Sequence, residues 1–185
     1  MSDEQPATNQ RRRRIATIAV IAVVVVAADQ VTKSLAVAHL AHHNVHVLGP
    51  ISLRLYYNTG VAFSLGTGLT GPIIVIAIAL VLVIAWAARG VPTMPAAVAF
   101  GLILGGAIGN LSDRLFRGHH GAVIDFVYSR VWPTFNLADS CIVVGSFLLA
   151  ISFARTPRVS GRVQPATTPA EPPAQLPVES PGEAE

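Results

Sequence analysis

The chain has 185 residues, of which 52% are hydrophobic and only 12% charged, against about 25% charged in an average soluble domain. Together with a mean hydropathy of +0.55 and apolar runs near the roughly 20 residues that cross a bilayer, this excludes an ordinary soluble enzyme and leaves a small polytopic membrane protein with one domain. The single cysteine, Cys141, excludes an intramolecular disulfide framework and a cysteine-based zinc site. The net charge of +3 comes from arginines set around the apolar runs, and nucleic acid is not an expected partner.

In chain order, residues 1–14 form an Arg-rich lead ending in Arg11, Arg12, Arg13 and Arg14. The apolar run from Ile15 to Ala28 that follows is similar to the start of a secretory signal peptide, but no clean cleavage site follows it. It passes through Asp29-Gln30-Val31-Thr32-Lys33 and resumes, which predicts one uncleaved span over about 15–40. Ile51 to Tyr56 alternates apolar and polar residues, and Asn58-Thr59-Gly60 turns the chain before Val61 to Leu65, predicting a small sheet over one end of the molecule. A second span, about 72–88, has no polar side chain over Ile73 to Ile84 and is expected to face lipid. A third, about 94–111, repeats glycine at 101, 105 and 109, a spacing that allows close helix approach. A fourth covers about 137–154. The expected fold is therefore membrane all-α, a four-transmembrane-helix bundle with a small extracytoplasmic β-sheet element. Residues 156–185 hold seven of the thirteen prolines and no aromatic residue, a composition expected to stay disordered.

Eight arginines (11–14, 89, 155, 158 and 162) fall on one side of these spans, and Arg54, Arg114, Arg117 and Arg130 on the other. The positive-inside rule puts both termini in the cytoplasm and the sheet and the 112–136 connection outside. Four of the ten acidic residues lie in the body: Asp29, Asp113, Asp125 and Asp139, each near the outward end of a span or in that connection. An aspartate at mid-span costs roughly 3 kcal/mol on insertion scales, so such residues need a partner, a cavity or a chemical task.

Asp29 has Lys33 four residues later on the same helical face, as an ion pair requires. Asp113 stands at helical spacing past the glycines, beside Arg114, where it either fixes that arginine or ends the helix. Asp125 has no basic residue within four positions and apolar neighbours on both sides, so burial should raise its pKa. Asp139 falls at the third helical position if Asn136 caps the fourth span, where the helix dipole favours its charged form. Opposed environments suit a division of acid and base roles, although a 14-residue separation permits contact without forcing it.

Other chemistry is less well supported. His39, His42, His43 and His46 lack an accompanying carboxylate and read as interfacial, solvated side chains, as do His119 and His120. Ser34 and Ser64 have no suitably placed base, and Cys141 reads as packing.

Four blocks in this order resemble the lipoprotein signal peptidase family: Asp29-Gln30-Val31-Thr32-Lys33; Asn58-Thr59-Gly60-Val61-Ala62-Phe63-Ser64; Gly105 to Arg114; and Val123-Ile124-Asp125-Phe126 with Phe135-Asn136-Leu137-Ala138-Asp139-Ser140. The resemblance runs over about Ile15 to Phe153. It implies a peptidase domain over 15–155, with Asp125 and Asp139 as the catalytic pair of an aspartic endopeptidase that cuts diacylglyceryl-modified prolipoproteins just before the lipidated cysteine. It also implies that Asn58, Gly60, Gly106, Asn110, Arg114, Asn136 and Ala138 surround substrate, with Asp29 and Lys33 in support. No metal or other cofactor is expected. The expected partners are prolipoproteins and membrane lipid, the expected location is the bacterial inner membrane, and a monomer is the expected state. The rival reading is an ion- or proton-coupled transporter using intramembrane aspartates, but the sequence has no inverted repeat or matching interrupted helices. A non-enzymatic scaffold on the glycine-lined span would leave Asp125 without a purpose.

Overall fold

A computed structural model describes residues 4–60 and 70–155 of the chain. The elements, in order, are α1 (Glu4–Leu40), β1 (Val45–Leu48), β2 (Ile51–Asn58), α2 (Thr70–Ala88), α3 (Met94–Phe116), β3 (Val123–Ser129) and α4 (Leu137–Ala154). All four helices are long and apolar enough to cross a membrane. At 1.5 Å per residue, the 37 residues of α1 span about 55 Å, well beyond the hydrocarbon thickness. The helix begins within the Arg-rich lead rather than at Ile15, since nothing between Gln10 and Ile15 breaks it.

Burial runs opposite to that of a soluble bundle. Val20, Val23, Val24, Leu82, Val144 and Phe147 point outward, while Asp29, Lys33, Asp113 and Asn136 are all 0% exposed. Such a distribution suits lipid as the surrounding solvent, with ionisable groups turned to the bundle interior.

α3 is the central helix, packed against α1 on one side and α4 on the other. Its glycines account for that closeness. A Cβ at Gly106 would stand 2.5 Å from the carbonyl oxygen of Ala138 in α4, and one at Gly109 would stand 2.6 Å from Asp29 Oδ2 in α1. α3 starts at an N-cap, Thr93, whose side chain accepts from the Ala96 N–H. It ends at Phe116, five residues past the expected limit, because Asp113 is not an interfacial stop but is drawn wholly into the protein. α2 buries only Ile73 and Ala88, in keeping with a lipid-facing span.

The sheet has three antiparallel strands in the order β1-β2-β3. The alternating segment is β2, and His46 lies in β1. The expected strand over 61–65 and the expected disordered tail lie outside the described residues. The third strand comes from the connection between α3 and α4: β3 pairs with β2 so that Asp125 faces Tyr56 across the ladder. Val123 and Ile124 are buried against the bundle, so β3 lacks the alternation that marks β2.

Candidate active site

Two local structures bring Asp125 and Asp139 to one place. After β3 the chain reverses and Phe135 returns to the strand, where its N–H donates to the Val127 carbonyl at 3.1 Å and its carbonyl accepts from the Val127 N–H at 2.8 Å. This closure sets Asn136 beside Asp125. Asn136 then caps α4: its side-chain oxygen accepts from the Asp139 N–H at 2.9 Å, and Asp139 Oδ2 accepts from the Asn136 N–H at 3.2 Å, a reciprocal capping box. The 14-residue interval therefore folds back on itself.

Side-chain amides supply the remaining donors. Asn136 Nδ2 donates to Asp125 Oδ1 at 2.8 Å, Asn58 Nδ2 to Asp125 Oδ2 at 3.1 Å, and Asn110 Nδ2 to Asp139 Oδ1 at 2.8 Å. The three asparagines thus each donate to one of the two carboxylates. Asn58 and Asn110 also line a cavity of about 350 Å³ with Arg114, Val123, Trp132, Pro133, Phe135, Asp139, Ile142 and Val143. Asp139 lines this cavity, whereas Asp125 is 1% exposed and is not among its lining residues. Burial, and then the nearby Asp139, push the Asp125 carboxyl up to about 7 against the pull of its two amide donors and of Lys33.

Arg114 does not pair with Asp113. Its guanidinium donates to the Gly121 carbonyl at 2.9 Å and to the Gly60 carbonyl, tying α3 to the turns that follow β2 and precede β3. The Gly60 N–H donates to Asn58 Oδ1 at 3.0 Å, so the same turn fixes the amide that holds Asp125. Gly106 sits beneath Ala138, whose N–H donates to Asp29 Oδ1 at 3.0 Å. Asp29 and Lys33 are paired at 2.8 Å.

Every residue expected at the site thus converges at the α1/α3/α4 end that meets the sheet. His39, His42, His43 and His46 are exposed at some remove, and Cys141 is half-buried. Two participants were not foreseen, Gln30, whose amide donates to Asp113 at 2.9 Å, and Arg117, which donates to both Gln30 and Asp113; Asp113, expected to fix Arg114 or end the helix, pairs instead with Lys33 at 2.8 Å. The spacing of Asp113 and Arg117, four residues apart like Asp29 and Lys33, was the available signal.

The family model described as signal peptidase (SPase) II, Peptidase_A8, matches residues 21–155. The chain belongs to this family. The lipoprotein signal peptidase of Rhodococcus jostii is 45% identical over 152 residues, covering 80% of this chain and 75% of the relative. Those of Streptomyces coelicolor (40% over 151 residues, 79% and 74%) and Mycobacterium leprae (42% over 144 residues, 75% and 72%) are similar. Two solved structures titled as a bacterial membrane enzyme, at 2.3 and 1.9 Å resolution, superpose with TM-scores of 0.68 and 0.66 at 28% identity. They cover 76% and 77% of this chain, and 88% and 96% of their own. This signal peptidase II homologue is accordingly a hydrolase and a multi-pass protein of the bacterial inner membrane. Its place in a peptidase family weighs against the transporter reading.

Proposed function

We propose that the chain is an aspartic endopeptidase that removes the signal peptide from diacylglyceryl-modified prolipoproteins, cutting just before the lipidated cysteine. The observation that carries this reading is the sharing of Asn136 by two carboxylates, one facing a cavity and the other buried with its pKa near 7. Two carboxylates held close do not ionise together readily, so the pair retains one proton, as in the aspartic-protease example.

Asp139 is the general base that takes a proton from water as it attacks the scissile carbonyl. Asp125 is the general acid that protonates the carbonyl oxygen. Collapse of the tetrahedral intermediate breaks the C–N bond as one of its hydroxyls returns a proton to Asp125, and the proton gained by Asp139 goes to the amine of the departing cysteine residue, which restores the singly protonated pair. Water supplies the new carboxyl oxygen, and no acyl-enzyme forms. The apolar cavity wall of Trp132, Pro133, Ile142 and Val143 suits the apolar end of a signal peptide. Diacylglyceryl chains remain in the bilayer, which makes access lateral. The arginine distribution supports cytoplasmic termini and a site near the extracytoplasmic face.

The test is cleavage of a diacylglyceryl-modified prolipoprotein peptide by detergent-purified protein with chelator present, alongside Asp125→Asn and Asp139→Asn. Chelator-resistant cleavage at the bond before cysteine, lost in both variants, is expected. Equal cleavage by either variant would overturn the dyad.

A further inference from the structure

The chemistry above makes no use of three fully buried charges. Lys33 Nζ lies 2.8 Å from Asp29 Oδ2 and 2.8 Å from Asp113 Oδ2, with all three side chains 0% exposed. Its remaining N–H donates to Asn110 Oδ1 at 2.9 Å. Burying ions is costly, and apolar residues of similar volume often stabilise as well, so stability alone is a weak account of such a cluster.

The other contacts of the two carboxylates show a pattern. Asp29 Oδ1 accepts the N–H of Ala138 at 3.0 Å, and Asp113 Oδ2 accepts the N–H of Ile124 at 3.1 Å. Ala138 immediately precedes Asp139, and Ile124 immediately precedes Asp125. Each buried carboxylate therefore grips the backbone one residue before a member of the dyad, and Lys33 joins the two grips. Through Asn110, which donates to Asp139 and accepts from Asn136 Nδ2 at 3.1 Å, the same ammonium also fixes the amides between them. Gln30 Nε2 donates to Asp113 at 2.9 Å and to the Gly109 carbonyl at 3.1 Å, and Arg117 closes the cluster from its exposed side.

We infer that Asp29, Lys33 and Asp113 form a positioning clamp that sets the separation of Asp125 and Asp139. The inference rests on the reading of those two aspartates as the catalytic pair. It makes the ion cluster in the bundle a determinant of turnover that touches no substrate.

The test is the charge-balanced double variant Asp29→Asn with Lys33→Met, which keeps an acceptor for Ala138 and leaves Asp113 paired with Arg117. Asp113→Asn is the milder second variant. Thermal unfolding in detergent, kcat, KM and the pH profile of kcat/KM are measured on the full chain. The groups facing Asp125 are Asp139, Lys33, Arg114, Asn58 and Asn136. A wider dyad couples less strongly, so the acid and alkaline limbs of the profile should draw together. In the double variant kcat should fall about 100-fold with KM within about twofold, and in Asp113→Asn about tenfold. Unchanged kcat in both variants, or a profile displaced with its width intact, would overturn the clamp, the latter because Lys33 would then act only by its charge. A double variant that does not fold leaves Asp113→Asn to decide on the same criteria. Asp125→Asn and Asp139→Asn, measured in parallel, separate this outcome from failure of the dyad itself.

Discussion

Asn136 and Asp125 meet side chain to side chain at 2.8 Å, while the backbone N–H of Asn136 reaches Asp139 at 3.2 Å. One fully buried amide residue thus touches both carboxylates and caps the helix that carries one of them. Replacing Asn136 with Ala removes a donor that lowers the Asp125 pKa, so that value should rise above about 7. The alkaline limb of kcat/KM should move to higher pH, and loss of the cap should cost about 1 kcal/mol in denaturant unfolding.

Asp125 also links stability to pH. Its folded pKa is raised from 3.8 to about 7, so between those values the folded state holds a proton that the unfolded state has lost. Stability from this group is complete below about pH 4 and declines as pH rises towards 7. Asp125→Asn cannot ionise, so its thermal midpoint should equal or exceed that of the parent at pH 8, by an amount corresponding to as much as roughly 4 kcal/mol. The advantage should vanish near pH 4. An equal difference at both pH values would argue against a raised Asp125.

The Gly106 contact gives a packing test. A methyl group there meets the Ala138 carbonyl at 2.5 Å, which is backbone that cannot swing aside. Gly106→Ala should force α4 away from α3, costing about 1–3 kcal/mol and misplacing Asp139. Unfolding midpoint and kcat should fall together, and a variant matching the parent in both would show that the seam is loose.

Arg114 spans two carbonyls with one planar fork, which an ammonium does not reproduce. Arg114→Lys should retain the charge but release either Gly60 or Gly121, loosening the turn that holds Asn58. A loss of about tenfold to 100-fold in kcat/KM is expected in the peptide assay.

The four helices were legible because lipid imposes apolar length, and Asp125 stood out as a candidate because an aspartate flanked by Val123, Ile124, Phe126 and Val127 has no local reason to be there; its approach to Asp139 was not legible, since a 14-residue interval permits contact without forcing it. β3 was not legible as a strand: its first three residues are buried, so the period-two signal is missing. Asp113 was misjudged for a related reason. Its partner Lys33 lies 80 positions earlier, beyond any local pattern, whereas Asp29 finds the same lysine four residues away.

The closure of Phe135 onto β3 has a consequence for biogenesis. Asp125 stands on a strand paired to β2, far back in the chain, and Asp139 opens the final helix. A nascent chain lacking α4 has neither the second carboxylate nor the Asn136 that joins the pair. On the proposed assignment of Asp125 and Asp139, proteolytic competence therefore arrives only with the last membrane insertion, and the half-made enzyme is inert.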